Sequence, residues 1–155
     1  MDDMLTQLLQ EEHDLQFTKF DEGDAWKLGS QLVDLARSRD LSVTVDIMRG
    51  SHQLFHASLR GTSPDNDEWV KRKIRTVYRF GHSSFYIGQL LKSKGKTIEQ
   101  AYLVSESEYA PHGGCFPIII KGTGVVGTIT VSGLPQEEDH KLVVEALRNY
   151  LVQEK

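Results

Sequence analysis

The sequence predicts an α+β fold in which one antiparallel sheet of about five strands is flanked by helices. Two observations carry this expectation. Strand-like segments occur in adjacent pairs joined by short glycine turns, so neighbouring strands run antiparallel, and strand–helix–strand alternation is missing. The helix-like segments each carry one apolar side, as helices packed on a sheet do. A parallel Rossmann-type sheet is therefore not the leading choice, and neither a G-x-G-x-x-G nor a P-loop pattern is present.

The elements follow in order. Met4-Leu5 and Leu8-Leu9 repeat at helical spacing, and Gln16 to Phe20 reads as extended. Asp24 can cap a helix running to about Arg39, with Trp26, Leu28, Leu32, Val33, Leu35 and Ala36 on its apolar side. Val43, Val45 and Ile47 alternate with Thr44 and Asp46, then Phe55, Ala57 and Leu59 alternate after Arg49-Gly50-Ser51, which together make a hairpin. Asp46, opposite the apolar side of its strand, is expected in solvent or at a subunit contact. Asp65 and Glu68 have capping-box spacing at the start of a helix that ends at Gly81. Another helix starts near Ser83 or Ser84 and ends around Gly95, and Thr97 and Gln100 cap a short one. Phe116–Lys121 and Val125–Ser132 form a second hairpin through Gly122-Thr123-Gly124. Pro135 begins the last helix, whose first turn carries Glu137, Glu138 and Asp139 at the positive end of its dipole.

With 155 residues and no repeat, linker or low-complexity tract, the chain is expected to form a single domain over residues 1–155. The lone Cys115 excludes an internal disulfide and points to a reducing compartment. No apolar run approaches the roughly 20 residues that cross a bilayer, and Asp2, Asp3, Glu11 and Glu12 stand where a signal peptide would be basic and then apolar. A cytoplasmic location without membrane association is expected. A net charge of −4 speaks against nucleic-acid binding. The charge is segregated, however. Eight basic residues and no acid lie between Lys71 and Lys96, while the first 24 residues are acidic. A solvated basic face explains this, and so does a counter-charge for a small anionic ligand or for a neighbouring subunit.

The segment with the most chemistry in it is Tyr109-Ala110-Pro111-His112-Gly113-Gly114-Cys115-Phe116-Pro117-Ile118. Paired glycines before a strand let the main chain approach a ligand, and Gly127 interrupts a strand otherwise made of β-formers. Those glycines suggest a crevice beside His112, and tight packing explains them equally well. His82 and Ser83 at a helix start, with Arg75 and Arg79 on the helix before it, are the further candidates for the site. His112 or His82 can serve as a general acid or base, since imidazole titrates near about pH 6.5. Cys115 lacks a second cysteine for a structural zinc site, and no metal site is assigned. With no C-x-x-C-H, any haem would be held non-covalently.

Gly113-Gly114, Pro117-Ile118, Gly124-Val125-Val126-Gly127-Thr128-Ile129-Thr130-Val131-Ser132-Gly133 and Glu138-Asp139 resemble the signature of the HbpS/GlcG-like family. The whole chain is similar to a smaller bacterial and fungal subgroup marked by Thr62–Trp69, Arg79–Ser84 and His112-Gly113-Gly114. The resemblance implies a profilin-like sheet with helices, a homo-oligomer larger than a dimer, and haem binding in some members. Cys115-Phe116 lengthens the glycine-to-proline segment by one residue, and Thr130 replaces a glycine. Three functions follow as alternatives: an oligomeric small-molecule or haem binder at the His-Gly-Gly loop, an enzyme on a small metabolite, or an oligomeric interaction protein without chemistry.

Overall fold

The computed structural model describes residues 2–154. Its sheet has four strands, β1 (Thr44–Arg49), β2 (His52–Ser58), β3 (Cys115–Ile120) and β4 (Gly124–Ser132), in the order β2-β1-β4-β3, with every neighbour antiparallel. The hairpins are those the glycine turns specify, the first through Gly50-Ser51 between Arg49 and His52. Helices α1 (Asp2–Asp14), α2 (Glu22–Ser38), α3 (Pro64–Phe80), α4 (Ser84–Lys94), α5 (Ile98–Tyr102) and α6 (Gln136–Gln153) surround it. No helix among the described residues is long and apolar enough to cross a membrane.

The expected fifth strand is reduced to one parallel bridge, Phe17 with Ile120. Phe17 donates to Ile119 O and accepts from Lys121 N, and the chain then leaves the sheet. Phe17 and Phe20 are both buried, three residues apart, and Asp21 already caps α2. The segment between two helices is too short to continue as a strand. Asp24 is not the cap but the third residue of the helix, where it completes a capping box with Asp21. At α3 the cap is Ser63 with Asn66, not Asp65 with Glu68, because Pro64 takes the first helical position.

One face of the sheet is apolar. Val43, Val45, Ile47, Phe116, Ile118, Ile129 and Val131 join Leu28, Leu32, Val143, Leu147 and Tyr150 in the main core beneath α2 and α6. The other face carries Thr44, Asp46, Cys115, Thr128, Thr130 and Ser132, and α3 lies across it. Asp46 is therefore buried, at 1% exposure, rather than in solvent. Its Oδ2 meets His56 Nδ1 at 2.8 Å and Gln53 Nε2 at 2.7 Å, while the other ring nitrogen of His56 lies 3.1 Å from Asp67. Its period-two position marked it as off the apolar face; only a helix distant in sequence decided that the polar face is covered.

Helix α1 docks on its own chain. Leu8 is buried, Glu11 pairs with His140 Nε2 at 2.8 Å, and Glu12 spans His82 Nδ1 at 2.7 Å and the backbone N–H of Ser83 at 3.0 Å. The hydrogen bond and charge of Glu12 raise the pKa of His82 against a smaller opposing effect of burial. A raised value means that this link stabilises fully below the unfolded pKa of about 6.5 and fades as pH rises through the higher folded value. Hydrogen exchange of α1 amides, corrected for intrinsic rates, is expected to accelerate across that window relative to β4. Glu12→Gln is expected to flatten the dependence; a wild-type protein with no pH dependence in α1 would contradict it.

Candidate functional site

His112 stands in the loop between α5 and β3, and that loop is pinned on three sides. Ala110 N donates to Arg72 O on α3, Gly113 N donates to the Gln136 side chain on α6 at 2.9 Å, and Val131 N donates to Gly114 O. The imidazole packs edge-to-face on Trp69, with ring centroids 5.6 Å apart, and the Arg72 guanidinium lies 4.6 Å from the Trp69 ring centre. Between the start of α3 and the start of α6 lies a cleft of about 310 Å³ lined by Asn66, Trp69, Lys73, His112, Gln136 and Asp139, among others. His112 and Gln136 also wall a second cleft of about 460 Å³, which carries Arg72, Lys92 and Lys96.

The floor of the first cleft is a buried ion pair. Lys73 Nζ lies 3.2 Å from Asp139 Oδ2 and 3.2 Å from Val131 O, and Asp139 Oδ1 accepts from Leu134 N at 2.9 Å. Burial pushes the Lys73 amine below its usual value and the Asp139 carboxyl above its own, while their mutual attraction opposes both shifts. Burial, then the positive charges of Lys73 and Arg72, lower the pKa of His112. His112 is thus neutral at neutral pH and presents one donor and one acceptor. Sequence reasoning missed Lys73, Asp139, Trp69 and Arg72 as site residues. Lys73 did leave a signal, three residues after Val70 and four before Val77, on the buried stripe of α3.

The structure brings His112 to this cleft, whereas Gly113 and Gly114 are buried behind its lining and serve the packing of the loop. A Cβ at Gly113 would stand 2.2 Å from Gln136 O, and one at Gly114 would stand 2.3 Å from Val131 O and 2.6 Å from Lys73 Nζ. Gly127 lies elsewhere, opposite Arg49 toward the other end of β4, where a Cβ would collide with Met48 O. His82 and Ser83 hold α1, and the Ser83 hydroxyl caps α4. Arg75 donates to Glu108 O, and Arg79 lies over the Phe80 and Tyr109 rings. Cys115 is fully buried, accepts a hydrogen bond from Thr130 Oγ1, and has its pKa pushed up to about 12 by burial, so its thiol is no nucleophile.

An antiparallel four-stranded sheet flanked by helices defines a class of α+β domains, and several solved structures share this fold. The profile of the family described as "Haem degrading protein HbpS-like" matches residues 20–148, and the chain belongs to that family. It is 50% identical over 147 residues to UPF0303 protein SCO2848 of Streptomyces coelicolor, covering 95% of this chain and 93% of that one. A UPF0303 protein of Psychromonas ingrahamii is 47% identical over 147 residues, covering 95% and 92%. Among solved structures, the Ybr137w protein superposes with a TM-score of 0.90 at 35% identity, over 97% of this chain and 88% of that one. A PduOC:heme complex (TM-score 0.69, 16% identity, 83% and 93% covered) shares the fold alone.

Haem is the group the family description names. A porphyrin with two propionates requires a broad, flat, largely apolar slot with an axial donor aimed into it. The His112 cleft has about 310 Å³, at the lower end of ordinary ligand sites, its floor is the Lys73–Asp139 pair, and its imidazole is packed against Trp69. In the single chain these residues do not fit haem.

Proposed function

We propose that this protein is a small-molecule-binding member of the HbpS-like family whose ligand is compact and rich in oxygen, held in the cleft beside His112. The observation that carries this reading is the convergence of a neutral imidazole, a buried lysine–aspartate pair and the Asn66 and Gln136 amides on one small cleft. Buried polar groups beside an opening recognise ligands by hydrogen bonding, and the Arg72, Lys92 and Lys96 side of the shared wall favours a carboxylate.

Titration with short carboxylates, propionate and pyruvate, is expected to shift the His112 ring signals and the Gly113 and Leu134 amide signals in NMR, and the amide shifts are expected to vanish in His112→Ala. Unmoved ring signals with both probes would overturn the reading. Haem added in parallel provides the other arm. A one-to-one Soret shift that disappears in His112→Ala would replace a compact ligand by haem at this site.

We further infer a homo-oligomer larger than a dimer. Support comes from the free edge of β2 and from Trp26, 67% exposed and packed on Phe55 of that edge strand. Helix α1 has no need of a neighbouring subunit, since its own chain receives Leu8, Glu11 and Glu12. Arg72 and Arg75 of the basic segment likewise serve loop carbonyls. Light scattering is expected to give a mass above two chains at micromolar concentration, unchanged in kind when residues 1–13 are deleted; a mass of 17.5 kDa would refute it.

A further inference from the structure

The floor of the His112 cleft holds a primary amine under unusual conditions. Lys73 is 3% exposed yet lines the cleft, and its Nζ reaches its place only because Gly114 has no side chain. Its two hydrogen-bond partners, Val131 O and Asp139 Oδ2, are both acceptors at 3.2 Å, so nothing donates to the nitrogen. The carboxylate is the one group positioned to take a proton from it. Asp139 is itself held by Leu134 N through its other oxygen, so Oδ2 is left to the amine. A purely structural pair needs no opening beside it, and this pair has one.

We propose that Lys73 is an imine-forming amine and that the ligand of this cleft is a small carbonyl compound, a 2-oxo acid or an aldehyde acid. The inference rests on the binding reading above and names its ligand class. The ammonium proton of Lys73 passes to Asp139 Oδ2, and the freed nitrogen lone pair attacks the carbonyl carbon while the C=O π pair moves to oxygen. The second N–H proton and the proton held by Asp139 complete the departure of that oxygen as water, leaving a C=N bond to Nζ. Nothing is oxidised or reduced, one water is released, and hydrolysis reverses the sequence. Burial lowers the Lys73 amine and raises the Asp139 carboxyl, so the proton passes between them more easily than between an exposed lysine and carboxylate. Neutral His112 leaves the approaching carbonyl a hydrogen-bond donor without adding a charge. The positive charge of Arg72, which already acts on His112, favours a ligand that carries a carboxylate.

The test is reductive trapping. The full chain is incubated with pyruvate and sodium cyanoborohydride at neutral pH, and modified lysines are mapped by peptide mass spectrometry. Labelling of Lys73 is expected to exceed that of exposed Lys71 by about tenfold or more, since an ordinary lysine is almost wholly protonated there. Asp139→Asn keeps the amine and the Leu134 acceptor but loses the proton shuttle, and is expected to slow trapping by about a hundredfold. Thermal denaturation of that variant confirms that it is folded. Labelling confined to surface lysines overturns the proposal. Propionate, which has no carbonyl to attack, separates the two failures: if it still shifts His112 while pyruvate leaves Lys73 unmodified, the cleft binds but Lys73 does not react. If propionate shifts nothing and Lys73 is unlabelled, the binding reading falls with it.

Discussion

Replacing Gly114 by alanine is expected to destabilise the protein more than any other glycine substitution in the loop, and enough to leave little folded chain at 37 °C. Two independent costs combine. The residue has φ of +137°, a conformation an L side chain rarely adopts, which costs about 1–3 kcal/mol. Its new methyl would also meet Val131 O at 2.3 Å and Lys73 Nζ at 2.6 Å. Val131 O belongs to the central sheet and cannot retreat, so overpacking costs about another 1–3 kcal/mol. Lys73 would be driven off Asp139 as it yields. Gly122→Ala is the control, since its φ of +78° is also positive but nothing lies within 4 Å of an added Cβ. Urea denaturation is expected to lower the midpoint far more for Gly114→Ala than for Gly122→Ala. Equal losses would show that backbone strain alone matters and that the close approach to β4 does not.

The second large effect is expected at Lys73. Lys73→Met removes the positive half of a buried pair and leaves Asp139 without its counter-charge at the floor of the cleft, which costs about 3–5 kcal/mol at neutral pH. The double variant Lys73→Met, Asp139→Asn removes both charges while keeping an acceptor for Leu134 N, and most of the loss is expected to return. The pH dependence has a definite sign. Without Lys73, burial raises the Asp139 pKa against only the backbone N–H groups of Leu134 and Gly133, so the variant is penalised least below the unfolded carboxyl value of about 3.9 and increasingly as pH rises through the folded value. Denaturation profiles of wild type and Lys73→Met should therefore converge toward acid and separate toward neutrality. Parallel profiles, or a double variant as weak as the single one, would mean that Lys73 contributes packing and not charge.

Several features of the site were legible in the sequence because they depend on near neighbours in the chain. The glycine turns specify two hairpins, and period-two alternation places Val45 and Ile47 on one side and Asp46 on the other, as observed. His112 with Gly113-Gly114 marks the cleft, since a loop that must pass close to α6 and β4 requires residues without side chains. The family likeness lies in the same stretch and in the β4 sequence, and it is borne out by the match over residues 20–148.

Other features depended on which distant segments meet. Gly127 reads like Gly114 in the sequence, yet one admits a neighbouring strand and the other a lysine amine, and only the register of β1 on β4 separates the two uses. Arg75 and Arg79 share the face of α3 that carries Arg72, but they stand about one and two turns further along its axis, against Glu108 and Tyr109, so that His112 meets Arg72 and Lys73 instead. The acidic helix α1 finds its partners 70 residues and more away in its own chain, at His82 and His140. The chain by itself determined its elements, its hairpins and the loop that carries the site, through local backbone preference and hydrophobic period. The tertiary structure alone decided that α3 covers the polar face of the sheet, because burial of a charge at Lys73 and Asp46 depends on what lies across from it, and no local pattern encodes that.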